Sequence, residues 1–242
     1  VTLTYNDEHI NYNKYIDDDG VIQRKSTLAK KDLQLFWKRL RKKQNVRYYA
    51  CGEYGSRTAR PHYHAIIFGL HLDQDKLVPY KSKPYQLYQC PELEKIWKYG
   101  FVVVGKVTQE SCEYVARYCM KKLNGDAAEI YKRFNFDPEF SCMSLKPAIG
   151  RQWFDDYNSR VYPNDEIQLP DGRSVKPPRY FDTLMDKLDE DLMSSVKDQR
   201  ADIAAEIERL RLAETGLTKK EYLKVCEENM KMRTKKLVRP LD

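Results

Sequence analysis

The stretch Arg60-Pro-His-Tyr-His-Ala-Ile-Ile-Phe-Gly69 constrains this chain more than any other. The run after the second histidine is apolar and β-branched, which predicts a buried strand. Side chains alternate along a strand, so His62 and His64 share one face and Tyr63 takes the other. Two of the protein's four histidines thus stand together on one rigid element. Two imidazoles so placed make a clamp for a metal ion.

Such a pair needs at least one more ligand. Residues 46–53 read as a second strand, joined to the histidine strand by the short basic loop 54–61, so the two are expected to pair antiparallel. Glu53, at the loop end, then falls opposite His62. One carboxylate with two neutral imidazoles leaves coordination positions open. That suits Mg²⁺ or Mn²⁺, which fill the remainder with water and phosphate oxygens. Cys51 shares the face of Glu53, but thiolate favours zinc. The structural alternative is a pair of histidines satisfied in a core.

A second pattern lies in the helix expected over residues 109–123, capped by Thr108 and stopped by Asn124-Gly125. Tyr114 and Tyr118 are four residues apart and stack on one helical face; Lys121 continues the stripe, with Arg117 beside it. Alone, this is an amphipathic helix with half-buried rings and snorkelling cations. Beside a metal that polarises a phosphodiester, it is a set of nucleophiles. Lys121 would favour the phenolate. A phenol's pKa of about 10 makes it a good leaving group, so the link formed by cutting can be reversed to rejoin a strand. Two tyrosines let one hold an end while the other cuts.

The composition fits a polyanion partner. The formal charge is +7, and residues 181–242 carry 13 basic and 14 acidic side chains, leaving +8 on the first 180 residues among many tyrosines. Arg57, Arg60, Arg117 and Lys122 are the expected phosphate contacts. No apolar run approaches membrane-span length and no signal peptide is present, so no membrane partner is expected. The six scattered cysteines lack paired zinc-type spacing and read as reduced thiols. The chain opens at Val1 in a strand-like run without an initiator Met, so a preceding segment is expected to be missing.

Along the chain, residues 1–5 predict a strand and 13–23 a hairpin turning at Asp18-Asp19-Gly20. Ser26 or Thr27 caps a helix to about Lys43. Residues 70–91 read as irregular, 92–99 as a short helix and 101–107 as a strand. Residues 144–150 and 167–180 read as loops. The order β-α-β-β-α-β-α predicts an α+β fold, an antiparallel sheet with helices packed on one face. From Phe181 the composition changes to a charged amphipathic helical extension, with Leu184, Leu188, Leu192 and Val196 four residues apart. Ile203, Ile207 and Leu210 continue the stripe, and a capping box at Thr218–Glu221 opens a last helix. The expected division is residues 1–160 as the main domain, 161–180 as a linker and 181–242 as the extension.

The histidine stretch and the run Tyr114-Val-Ala-Arg-Tyr-Cys-Met-Lys-Lys122 together resemble the HUH-endonuclease superfamily, and more narrowly the rolling-circle replication initiators of microviruses. Val1-Thr-Leu-Thr-Tyr5 is similar to that family's first motif. Cys51-Gly-Glu-Tyr-Gly55 resembles the segment supplying the third metal ligand, and Ser144-Leu-Lys-Pro-Ala-Ile-Gly150 resembles a further segment of the phage proteins. The resemblance covers about residues 1–180. It implies a central, roughly five-stranded antiparallel sheet in an HUH/RRM-like palm and a divalent metal held by Glu53, His62 and His64. It implies nucleophiles at Tyr114 and Tyr118 supported by Lys121. It further implies nicking at a phage origin through a 5′-phosphotyrosine, rejoining in rolling-circle replication, host helicase and polymerase as partners, and action in the bacterial cytoplasm. Tyr63 is bulkier than the aliphatic residue often found between the histidines, but it faces away from the metal. Two other readings are open: a transposase or plasmid relaxase of the same chemistry, and a non-catalytic single-stranded DNA-binding protein.

Overall fold

The structure is a computed structural model that describes residues 1–55, 58–83, 85–117, 122–162 and 164–235. It divides into two units, Val1–Ile149 and Gly150–Asp242. The first unit contains, in order, β1 (Thr2–Tyr5), β2 (Tyr12–Ile16), β3 (Ile22–Ser26), α1 (Lys30–Arg41), β4 (Arg47–Tyr54), β5 (Pro61–Phe68), β6 (Val78–Lys81), β7 (Leu87–Gln89), α2 (Pro91–Trp97), β8 (Gly100–Gly105), α3 (Gln109–Arg117), α4 (Glu129–Arg133) and β9 (Phe140–Met143). Seven strands form one sheet in the order β6-β7-β8-β1-β5-β4-β9, every neighbouring pair antiparallel.

The expected α+β class with a central antiparallel sheet is observed, with seven strands where about five were expected. The added edge strands come from stretches without a strand signal. β6 and β7 lie in the segment read as irregular; Pro79 is tolerated because β6 is an edge strand, where a missing N–H breaks no ladder. β9 is only four residues long and borders β4 on the opposite edge. The predicted hairpin forms as a separate ribbon, β2–β3, whose turn is held by the Asp17 carboxylate accepting from the backbone of Asp19 and Val21.

Alternation along the strands sorts the sheet into two faces. Leu3, Tyr63, Ala65 and Val102 pack against Phe36, Trp37 and Leu40 of α1 and Leu93 and Trp97 of α2. On the other face Cys51 and Ile66 pack against Val115 of α3. Helices therefore cover both faces, a correction to the one-sided arrangement expected. The cause is that α3 has its own apolar spot, which covers only part of its face.

The start of α1 also differs from expectation. Its N-cap is Ala29, with no side-chain cap. Ser26 lies in β3, and the Thr27 hydroxyl instead accepts from the backbone of Asp137. The entry is held from below: Tyr54 Oη accepts from Leu28 N, while Tyr63 Oη accepts from Ala29 N at 2.9 Å and contacts Ala29 O at 3.0 Å. Lys122 and Leu123 are not helical, so α3 stops short of the end expected at Leu123. Leu123 N instead donates to Tyr131 Oη.

The second unit contains α5 (Arg151–Val161), the small hairpin β10 (Ile167–Gln168) and β11 (Ser174–Val175), α6 (Arg179–Leu188), α7 (Glu190–Thr215) and α8 (Lys219–Lys235). Its core is Phe154, Val161, Tyr162, Phe181, Met185, Met193 and Val196. The expected leucine stripe is broken at Asp189, whose carboxylate caps α7 by accepting from Leu192 N; Leu188 is left exposed. The capping box forms, Glu221 accepting from Thr218 N and Thr218 Oγ1 from Glu221 N. Arg200 bridges Asp165 and Asp182. No helix among the described residues is long and apolar enough to cross a membrane. The described cysteines are free thiols; Cys119 lies outside the described residues.

Candidate functional site

β4 and β5 pair as the sequence predicts, with Glu53 opposite His62 and Cys51 opposite His64. The loop between them is tied by Gly55 N donating to Arg60 O at 3.0 Å. Gly52 matters to this register: a Cβ there would sit 2.9 Å from Phe140 and 3.1 Å from Leu28 and Tyr63 on the packed face. Only glycine lets the strand lie flat between Cys51 and Glu53.

Glu53 is buried, and its Oε1 lies 2.9 Å from His62 Nε2 and 3.0 Å from His64 Nε2. One ligand atom from each residue falls within 4.8 Å of the other two, the arrangement of a metal-binding trio. The far side of each ring is also fixed. His62 Nδ1 lies 3.0 Å from the Arg60 carbonyl oxygen, and His64 Nδ1 lies 3.1 Å from Thr2 Oγ1.

These contacts test whether the donor set fits a cation. A carbonyl oxygen only accepts, so the contact with Arg60 O needs the proton on His62 Nδ1, which in the neutral ring leaves Nε2 as the atom available to a cation. Positive charge, from a proton on the ring or from a bound cation, is what joins such a nitrogen to the carboxylate oxygen. Burial, reinforced by neighbouring His62, lowers the His64 pKa from 6.5 to about 3, so this imidazole is neutral near pH 7 and available as a ligand. Two neutral imidazoles and a carboxylate fit a divalent cation with open positions.

The trio lies on a sheet face rather than in a closed core. Phe101, Thr4, His62 and Glu53 stand in one transverse row across β8, β1, β5 and β4; Val103, Thr2, His64 and Cys51 form the next. Cys51 is fully buried, its thiol directed at the carbonyl oxygens of His64 and Val115, and stands apart from the trio.

α3 brings a phenol to this face. Thr108 and Ser111 cap it reciprocally, Ser111 N donating to Thr108 Oγ1 and Thr108 N to Ser111 Oγ. Val115, seated against Cys51 and Ile66, fixes the rotation of the helix. Tyr114 then stands beside the metal trio, its ring centroid 5.7 Å from that of His64 at an interplanar angle of 84°. It is 50% exposed, open to a substrate. Tyr63, by contrast, is buried under the sheet, and burial pushes its phenol well above the ordinary value.

The other expected residues divide as follows. Tyr118, Lys121 and Arg57 lie outside the described residues. Arg117 is on α3 and exposed, and Lys122 is exposed beyond it. The Arg60 side chain is engaged with Asp7 and the Tyr5 carbonyl, which positions the carbonyl that holds His62. Sequence reasoning missed Thr2, although its place in an alternating strand beside the histidines was available as a signal. It also missed Lys81, Tyr85 and Lys106, which border a cavity beside Tyr114.

A profile of the replication-associated protein family of the ORF2 and gene-2-protein type matches residues 1–123, from β1 past α3. The chain is 31% identical over 246 residues to the replication-associated protein ORF2 of Spiroplasma virus 4, covering 100% of this chain and 75% of that protein. It is 33% identical over 187 residues to the replication-associated protein VP4 of Bdellovibrio phage phiMH2K, covering 75% of this chain and 55% of the relative. The corresponding protein ORF4 of Chlamydia phage 1 is 29% identical over 196 residues, covering 77% and 45%. The chain therefore spans three quarters of one relative and about half of the other two. No solved structure matches it. With the matched segment carrying the metal trio and Tyr114, and the Spiroplasma virus relative matching along the whole chain, the chain belongs to this family of replication-associated proteins.

Proposed function

We propose that this protein initiates phage DNA replication by nicking one strand at an origin and later rejoining it, acting in the host cell. The observation that carries the reading is the juxtaposition of Glu53, His62 and His64 with the half-exposed Tyr114, on a sheet face beside a cavity. The names of the phage relatives supply the replication context.

Glu53, His62 and His64 would hold a divalent ion, Mg²⁺ or Mn²⁺. When bound it polarises the scissile phosphate and offsets charge that develops on its oxygens. Thr2 and the Arg60 carbonyl hold the two rings with both Nε2 atoms toward Glu53, where they would serve as ligands. Tyr114 Oη attacks phosphorus, forming the Oη–P bond as the P–O3′ bond breaks. The phenolic proton passes to water, and the departing 3′-oxygen takes up a proton. The new 5′ end of the strand stays on the enzyme as a phosphotyrosine, and attack by a 3′-hydroxyl reverses the step. Tyr118 would serve as the second nucleophile and Lys121 would favour the phenolate, the residue pattern of a two-tyrosine HUH enzyme. Arg57, Arg60, Arg117 and Lys122 would contact phosphates; host helicase and polymerase would extend the freed 3′ end.

The test is incubation of the full chain with a labelled single-stranded oligonucleotide carrying the phage origin, with Mn²⁺ or with EDTA. A covalent adduct of raised mass on a denaturing gel is expected with the ion only. Binding that survives EDTA with the DNA left uncut would favour a non-catalytic single-stranded DNA binder and overturn the reading. In the adduct the modified residue should be Tyr114 or Tyr118.

A further inference from the structure

Beside Tyr114 lies a cavity of about 680 Å³ that the nicking chemistry itself does not require. Its volume falls within the range of about 300–1,000 Å³ typical of sites for small organic ligands. Ile66, Leu87 and Val103 give it an apolar floor. Lys81, Lys106 and Arg117 stand on its rim, all exposed. Tyr85, 62% exposed, forms one wall, while His64 and Tyr114 of the reactive site form another. Glu110 and Glu113 occupy the helix side.

This combination points to a nucleotide. Among the described residues the clustered metal donors are Glu53, His62 and His64, of which His64 alone lines this cavity, and an apolar ligand would leave the cations without a role. A nucleobase has flat apolar faces that match the floor and stack on a tyrosine ring. The attached phosphates need cations, and Lys81 and Lys106, both exposed among the lining residues, supply them. The cavity also shares His64 and Tyr114 with the reactive site, so a base held in it belongs to a nucleotide close to the phosphate that Tyr114 faces.

We propose that this cavity takes an unstacked nucleobase next to the scissile phosphate, with Tyr85 as its stacking platform and Lys81 and Lys106 as its phosphate contacts. The site would thereby hold the strand in register with Tyr114. The inference rests on the strand-nicking reading for its substrate, but the binding it describes needs no chemistry.

The experiment therefore reads binding without cleavage. The full chain in EDTA is irradiated with single-stranded 15-mers of oligo(dT), each carrying one 4-thiothymidine, and crosslinked peptides are identified by mass spectrometry. Crosslinks to Tyr85 or to residues 81–87 are expected. Tyr85→Ala and Lys106→Glu should each weaken 15-mer affinity about five- to tenfold; both side chains are exposed, and unchanged circular dichroism and thermal midpoint confirm the fold. With Mn²⁺ and the origin strand, an abasic site beside the break should lower adduct yield in the wild type but make no further difference in Tyr85→Ala. Crosslinks confined to other surfaces, or a Tyr85→Ala chain that binds normally and still discriminates the abasic strand, would overturn the cavity assignment. Cavity crosslinks without any adduct in Mn²⁺ would instead leave the base site standing and sink the nicking reading.

Discussion

At the scale of single residues, the proposed chemistry depends on protons being absent from particular nitrogens. His64 is held neutral by burial, its pKa lowered to about 3 against about 6.5 in an unfolded chain. Between those values the unfolded state binds a proton that the folded state refuses, so stability is fully present above about pH 6.5 and falls as pH drops toward 3. Thermal midpoints of metal-free protein should follow that course, and His64→Gln should flatten it. A midpoint independent of pH in the wild type would contradict the burial argument. Glu53→Gln removes the negative charge shared by both imidazoles. It should weaken Mn²⁺ binding at least tenfold by calorimetry and abolish the adduct, with the sheet intact by circular dichroism. Tyr114→Phe keeps the ring against His64 but removes the proposed nucleophile, so it should lower adduct yield while leaving metal affinity unchanged.

At the scale of elements, the strand pair β4–β5 was legible because a period of two and a short loop dictate which residues face each other. That reasoning placed Glu53, His62 and His64 together and set Tyr63 on the other side. It could not see β9, four residues without a distinctive pattern, or β6, where a proline argues against a strand until the edge position is known. It misjudged the start of α1 because Thr27, a fitting cap by type, is used by Asp137. The cavity was invisible for a related reason: its walls come from the β6–β7 edge, the end of β8 and α3, which only the sheet order brings together. Gly52 also belongs to this scale. Gly52→Ala must displace Phe140, Leu28 or Tyr63, and should cost about 1–3 kcal/mol in chemical denaturation. An unchanged midpoint would show that the neighbours yield freely.

At the scale of the whole molecule, two units with separate cores share one chain. All buried residues of the large core lie within Val1–Ile149, so a chain ended after Ile149 should fold and bind Mn²⁺ with the affinity of the full chain. Loss of the cooperative transition on truncation would show that the sheet needs the helical unit. DNA affinity should fall steeply with added salt, because the excess of +8 lies in the first 180 residues. The middle letter of the His-Tyr-His motif has a wider meaning on this scale. Tyr63 Oη meets Tyr5 Oη at 2.8 Å and the backbone of Ala29, and Tyr5 in turn donates to Asp32. Such a buried network is sound when complete and costly when broken in one place. Substitutions at positions 5, 32 and 63 are thus expected to be coupled. In a library randomised at those three sites and selected for folding, survivors should fall into two camps, wholly polar or wholly apolar, with few hybrids between them. A neighbour of the reactive histidines would then change only when two distant positions change with it, a barrier to drift that the reaction itself does not impose.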